Sequence, residues 1–155
     1  MKAVIQRVRD ASVSVEGKLK GEIKHGLLVY YSVEEKDTFD MIEPFLDKLV
    51  HLRIFEDEEG KMNLSLDKVS KEILFVSQFT LAANLARGNR PDFANAKKPE
   101  EAERFYSEGV RILKSWGYNV SCGVFGAHMQ VRYMNDGPVT FILDSENLPR
   151  FRKKN

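Results

Sequence analysis

The stretch Glu72–Asn84, E-I-L-F-V-S-Q-F-T-L-A-A-N, decides how the rest of the chain is read. Ile73, Leu74, Phe75 and Val76 form an unbroken apolar run that Phe79 resumes after a polar pair. A short continuous run of this kind reads as a buried strand rather than a half-exposed one. A buried strand excludes side chains that need hydrogen bonds, because an unpaired buried polar group costs on the order of 1–3 kcal/mol. Yet Ser77, Gln78 and Thr80 stand near its C-terminal end. They form either a structural hydrogen-bond network, the commoner fate of Ser and Thr in strands, or a site. A second stretch, Asn135–Leu143, N-D-G-P-V-T-F-I-L, favours the site.

Outward from this strand, the first third of the chain is rich in β-branched residues. Lys2–Arg9 and Ala11–Glu16 read as two strands, Gly17-Lys18 as a turn, Gly21–Ile23 as a continuing meander and Leu27–Val33 as another buried strand. Asp37–Leu52 carries Phe39, Ile42, Phe45, Leu46, Leu49 and Val50 at helical spacing, with Asp37 or Thr38 as cap. Pro44 requires that this helix start late or kink, since a proline inside a helix costs about 3 kcal/mol. Arg53–Phe55 reads as a short strand, Glu56–Gly60 as a turn, and Lys61–Leu66 leads by a loop to the central strand. After Asn84 comes an irregular segment of about 14 residues, long enough to suspect function. Pro99 opens a second helix, with Ala102, Phe105, Tyr106, Ile112, Leu113 and Trp116 on one face and Gly117 at its end. Asn119–Val124, Met129–Met134 and Val139–Asp144 read as strands, with turns around Gly126 and across Asn135–Pro138. The pattern predicts an α+β fold, mainly antiparallel sheets curled into a barrel-like core with two main helices packed outside.

With 155 residues the chain reads as a single domain, 1–155, with a basic tail from about residue 146. No apolar run approaches the ~20 residues of a membrane span, and the N-terminus lacks the apolar core of a signal peptide, so a cytoplasmic location is expected. Cys122 is the single cysteine, which excludes an intrachain disulfide. Lys and Arg number 24 against 23 Asp and Glu, a balance that argues against wrapping of long nucleic acid, and no DNA partner is expected. Positive charge gathers locally, in Arg87–Lys98 and in Arg150–Lys154, as would suit contact with a few phosphates.

Familiar hydrolytic machinery is missing from the sequence. His25, His51 and His128 are far apart, and no H-x-x-x-H or C-x-x-C pair offers a metal site, so neither metal nor cofactor is expected. There is no G-x-S-x-G elbow and no phosphate-cradling glycine loop. His25 reads as a turn residue and His51 as closing a helix, where a cation is favoured; His128, before Met129 in a predicted strand, could reach a site, but a lone histidine does not make one.

Seven short motifs occur in order: V-I-Q-R-V at Val4–Val8, R-I-F at Arg53–Phe55, K-M-N-L at Lys61–Leu64, S-Q-F-T-L at Ser77–Leu81, R-P-x-F at Arg90–Phe93, F-G-A-x-M at Phe125–Met129 and N-D-G-P-V-T at Asn135–Thr140. Together they resemble the D-aminoacyl-tRNA deacylase family, also called D-tyrosyl-tRNA deacylases, over nearly the whole chain to about Asp144. The resemblance implies a homodimer that binds the 3′ end of aminoacyl-tRNA and hydrolyses the ester to a D-amino acid. Ser77, Gln78, Phe79 and Thr80 would form the catalytic pocket for the terminal adenosine and its ester. Gly137 and Pro138 would form a cis peptide that enters the partner's pocket and screens chirality, with Arg7 supporting it and Phe125 and Met129 walling the site. Glycyl-tRNA, having no Cβ to exclude, would also be cleaved. Thr80 has no base beside it in sequence and is assigned positioning before attack, the attacking group being a water or the ribose 2′-hydroxyl. Three departures stand out: Tyr30-Tyr31-Ser32 where a small apolar pair and glycine are common, Asp92 for a frequent serine, and the extra tail after Ser145. The competing readings are a non-catalytic nucleic-acid-binding dimer of the same fold and a plain dimeric β-domain.

Overall fold

The computed structural model describes residues 1–86 and 88–149. Arg87 and the basic run Arg150–Lys154 lie outside the described residues. In chain order the elements are β1 (Lys2–Val15), β2 (Lys18–Ile23), β3 (Gly26–Ser32), α1 (Ile42–Val50), β4 (Phe55–Glu56), β5 (Met62–Leu64), β6 (Glu72–Ser77), α2 (Pro99–Ser115), β7 (Asn119–Cys122) and β8 (Gln130–Asp144).

β1 is one continuous strand rather than two, and it organises the sheet. Along one edge its first half pairs with β3, Lys2↔Ser32 to Val8↔Gly26, and its second half with β2, Ala11↔Ile23 to Val15↔Lys18. Along the other edge it pairs with β8. Arg9 and Asp10, which suggested a break, fall where β1 passes from one partner to the next and are exposed there. The turn after β1 is Glu16-Gly17, one residue earlier than read, with both residues at positive φ as a two-residue hairpin demands.

Antiparallel pairings predominate, but β6 lies parallel between β3 and β7. Parallel neighbours need long crossovers, and these are supplied by α1 with the β4–β5 hairpin before β6, and by α2 before β7. The sheet then curls until β7 meets β2. There the Ser121 hydroxyl donates to the Glu22 carbonyl at 2.8 Å, and a Cβ on Gly21 would stand 2.8 Å from the Cys122 carbonyl oxygen. The result is a nearly closed barrel. Its interior holds Val8, Ala11, Val13, Ile23, Leu28, Leu74 and Val76. The larger core covers the other face, where Phe45, Leu46 and Leu49 of α1 and Phe105, Tyr106 and Leu113 of α2 pack on Ile5, Val29 and Phe75. Full burial of each such side chain contributes about 1.5–3 kcal/mol.

Both helices show how their prolines are accommodated. α1 starts late, after a 3₁₀ turn Phe39–Met41, so Pro44 falls in its first turn where no intrahelical donor is lost. Neither expected cap caps it. Thr38 makes no capping hydrogen bond, and the buried Asp37 carboxylate instead accepts from the Met1 ammonium at 2.6 Å and the Glu34 N–H at 2.7 Å. α2 begins at Pro99, and Gly117 follows its end at φ +84°.

Gly26 is where β3 approaches the start of β6 most closely: a Cβ there would lie 2.2 Å from the Glu72 carbonyl oxygen. Gly26→Ala is expected to destabilise the chain by about 1–3 kcal/mol or more, seen as a lower urea midpoint with an unchanged m-value. An unaltered midpoint would show that the β3–β6 contact is not held as described.

Candidate functional site

β6 ends at Ser77, earlier than its apolar continuation suggests. Phe79–Ala82 forms a 3₁₀ turn, so the second half of the quoted stretch is not strand. The reason lies in the polar residues: Gln78, at φ −147° and ψ 81°, still donates its N–H to the Tyr31 carbonyl at 2.8 Å, and the chain then turns away from the sheet. Phe79 is thereby 58% exposed instead of buried. The Thr80 hydroxyl donates to Gln78 Oε1 at 2.8 Å, so two of the three polar side chains partner each other. A 3₁₀ turn leaves its first N–H groups, here those of Phe79 and Thr80, without intrahelical acceptors.

This strand end opens onto a cavity of about 620 Å³. Ser77, Gln78 and Phe79 form one side, and Phe125 and Met129, from the connection between β7 and β8, form another. The long loop before α2 closes a third side with Phe93, Ala96, Lys97 and Lys98. Phe79 and Phe93 meet edge to face, ring centroids 5.0 Å apart. Among the described residues the cavity is bordered by three basic side chains, Lys97, Lys98 and His128, and by no carboxylate. Tyr30 also borders it; burial, with the neighbouring Tyr133 adding to it, pushes the Tyr30 phenol up to about 12, so it remains a neutral donor at physiological pH.

The sequence-selected residues fall into two groups. Ser77, Gln78, Phe79, Phe125 and Met129 share the cavity. Thr80 sits beside it and joins through Gln78. Arg7, Gly137 and Pro138 do not border this cavity and form a separate construction on β1 and β8.

That construction is a bulge, not the hairpin turn the N-D-G-P run suggests. β8 continues through it: Asn135 pairs with Val8 and Thr140 with Gln6, so Arg7 alone faces Asp136, Gly137, Pro138 and Val139. The Gly137–Pro138 peptide is cis, and Gly137 has φ +134°, a conformation that favours glycine. A Cβ on Gly137 would also stand 2.6 Å from Val139 Cγ2. Arg7, only 5% exposed, braces the bulge from below. It donates through Nε to the Asp136 carbonyl at 3.0 Å, through one terminal nitrogen to the Ile54 carbonyl at 2.9 Å, and through the other to Glu56 at 3.2 Å. Asn135 clamps it from within, accepting from the Val139 N–H at 3.0 Å while its amide donates to Thr140 at 3.0 Å. Gly137 and Pro138 are left exposed at the crest.

Sequence reasoning missed several of these residues. Asn135 carries a signal, since an Asn before Asp-Gly-Pro readily bonds backbone ahead of it. Lys97, Lys98 and Phe93 lie in the loop that its length, its positive charge and the R-P-x-F motif single out, though no motif assigns the two lysines to the cavity, and His128 reads as bland without the fold. Of the departures, Tyr31 is absorbed in the core, donating to Met1 Sδ at 2.9 Å. Ser32 is buried, and its hydroxyl has no hydrogen-bond partner among the described residues. Asp92 pairs with Asn84 through two backbone hydrogen bonds.

A family model described as D-Tyr-tRNA(Tyr) deacylase matches residues 4–144. The chain belongs to that family. It is 50% identical over 99% of its length to the D-aminoacyl-tRNA deacylase of Dictyoglomus turgidum, all of which is covered. It is 52% identical over 94% of its length to that of Geobacter sp. strain M21, 97% of which is covered. Among solved structures it resembles the c-Myc DNA Unwinding Element Binding Protein, with 43% identity, TM-score 0.87, and 93% of this chain and 98% of that one covered. It also shares the fold of a probable eukaryotic D-amino acid tRNA deacylase, with 19% identity, TM-score 0.74, and 92% and 97% covered.

Lysine cannot reproduce the three-way reach of the Arg7 guanidinium. Arg7→Lys is expected to leave a buried carbonyl unpaired at a cost of about 1–3 kcal/mol. For a chain of this size that lowers the Tm by about 2–4 °C per kcal/mol, which a thermal melt measures. An unshifted melt would contradict the bracing role.

Proposed function

We propose that this chain hydrolyses the ester bond of D-aminoacyl-tRNA, releasing the free D-amino acid and tRNA, and that it acts as a cytoplasmic homodimer. The observation that carries the reading is the polar end of a buried strand, Ser77–Thr80, opening onto a largely apolar cavity in a member of this family. The cavity receives the terminal adenosine, for which the exposed Phe79 and Phe93 rings offer stacking faces.

An aminoacyl ester is already activated, so the chemistry asks little of the protein. Water, or the ribose 2′-hydroxyl assisting it, attacks the carbonyl carbon, and the bond to the ribose 3′-oxygen breaks to leave a hydroxyl and a carboxylate. The N–H groups of Phe79 and Thr80 hold the oxygen as charge develops, a term worth about 2.7–4 kcal/mol per donor where it has been isolated. Thr80 is oriented rather than activated: its hydroxyl donates to Gln78 Oε1, an amide oxygen too weakly basic to take the proton. Its role is positioning.

Chirality is screened by the bulge of a second copy. In favour of a partner's bulge are the exposure of Gly137 and Pro138, their place outside the lining of their own cavity, and the exposed apolar residues Tyr133, Met134, Phe141 and Ile142 flanking them on β8. Backbone carbonyls at the crest clasp the substrate's ammonium with no side chain in the way. An L-residue then drives its Cβ into the clasp, while a D-residue directs its side chain outward. This is rejection by exclusion, which tolerates many D-side chains and spares no glycine.

D-tyrosyl-tRNA, L-tyrosyl-tRNA and glycyl-tRNA, assayed side by side, test this. The expected result is release of D-tyrosine at least about 100-fold faster than L-tyrosine, a difference of about 2.7 kcal/mol, with glycine also released. Equal cleavage of D and L esters would remove the clasp. No release from a folded dimer would favour a second reading, a nucleic-acid-binding dimer without catalysis, which the name of one solved relative raises.

A further inference from the structure

The basic side of the cavity has no part in the ester chemistry or the clasp. The substrate's ammonium would be repelled by Lys97, Lys98 and His128, and the ester is neutral, so these groups face some other part of the ligand. Lys97 is committed to the protein. Its side chain is 7% exposed, its ammonium donates to the Glu35 carbonyl at 2.9 Å, lies 3.5 Å from Glu101 and sits 5.2 Å from the centre of the Phe105 ring. It fixes the loop that forms this wall.

Lys98 and His128 are different. Both are exposed, they approach the cavity from separate elements, and among the described residues no carboxylate lies within ion-pair distance of either. Glu100 and Glu101 follow Lys98 in the first turn of α2, but neither borders the cavity. A chain with nearly equal numbers of acids and bases has thus placed basic groups alone along this rim.

We infer that Lys98 and His128 form an anion subsite that takes the phosphodiester on the 5′ side of the terminal adenosine. This rests on the adenosine occupying the cavity, as proposed above. Of the groups at a tRNA 3′ end, the phosphodiester alone is an anion one nucleoside away from the ester. The ammonium of Lys98 supplies charge, and His128 supplies a ring N–H in either tautomer. The subsite seats the strand as it enters the cavity, while Phe79 and Phe93 hold the base.

The test compares binding of adenosine with that of the methyl ester of adenosine 5′-monophosphate, which carries the single charge of a phosphodiester. Chemical-shift titration of the full-length chain at low salt gives both affinities without relying on turnover. The phosphodiester is expected to bind about fivefold more tightly, the effect of an exposed ion pair, with the preference shrinking as salt is raised. In the double variant Lys98→Gln, His128→Gln the preference should fall below about twofold, and Lys98→Arg should keep it. Equal affinities in the wild-type chain, or a preference that survives the double substitution, would overturn the inference. If D-tyrosyl-tRNA is hydrolysed and the preference is absent, this inference alone falls. If the preference is present and D-tyrosyl-tRNA stays intact, the subsite stands and the deacylase reading falls.

Discussion

A buried guanidinium must find acceptors for its donors, and Arg7 finds them in three parts of the chain at once. Its partners are the Asp136 carbonyl on β8, the Ile54 carbonyl after α1 and the Glu56 carboxylate on β4. Because Arg7 sits on β1, the strand shared by β2, β3 and β8, this single side chain fixes the bulge relative to the centre of the sheet. The bulge departs from the ladder for four residues against one, and the ladder resumes in register for Thr140 to Asp144. Without a buried donor beneath it, the Asp136 carbonyl would have no partner to hold that departure in place.

The two halves of the proposed site are built by different means. The catalytic half arises where an apolar strand runs out: Ser77 ends β6, Gln78 makes one last hydrogen bond to β3, and the 3₁₀ turn presents backbone donors and the Phe79 ring to the cavity. The screening half is backbone held proud of a sheet by side chains that stay below, Arg7 and Asn135. Neither half contains a strong base or nucleophile. Positioned donors and excluded volume suit a substrate whose ester is already reactive.

Much of this was legible in the residues, and the misreadings have physical causes. The apolar run Ile73–Val76 identified the central strand, and the apolar stripes and prolines located both helices. Phe79 misled because an aromatic after a strand looks like its continuation, whereas here it is exposed to meet Phe93. Arg9 and Asp10 looked like a break because charge usually marks a strand's end, and a change of partner along β1 leaves no local signal. Asn-Asp-Gly-Pro has the composition of a hairpin turn, and only pairing to β1 on both sides shows it to be a bulge. The parallel placement of β6 depends on crossovers that composition cannot order. Ser77, Gln78 and Thr80 stand out in the sequence as polar groups at a buried strand end, but the 3₁₀ turn lifts them from the core: Ser77 and Gln78 are half-buried and Thr80 is exposed. Lys98 already stands in a basic run suited to phosphates, but its pairing with His128 emerges only once the fold brings the loop before α2 and the segment before β8 to one rim.

The central claim is that one subunit's cavity is completed by the other subunit's bulge, and mixed dimers test it most directly. Subunits carrying Gln78→Ala with Thr80→Ala keep the bulge and lose the cavity's polar end; subunits carrying Gly137→Ala keep the cavity and lose the crest. Each homodimer should discriminate or hydrolyse poorly. After the two are co-refolded, the account predicts that hydrolysis selective for the D-ester returns, because each mixed dimer holds one intact cavity facing one intact bulge. Activity no greater than the sum of the two homodimers, with mixed dimers shown to be present, would contradict it.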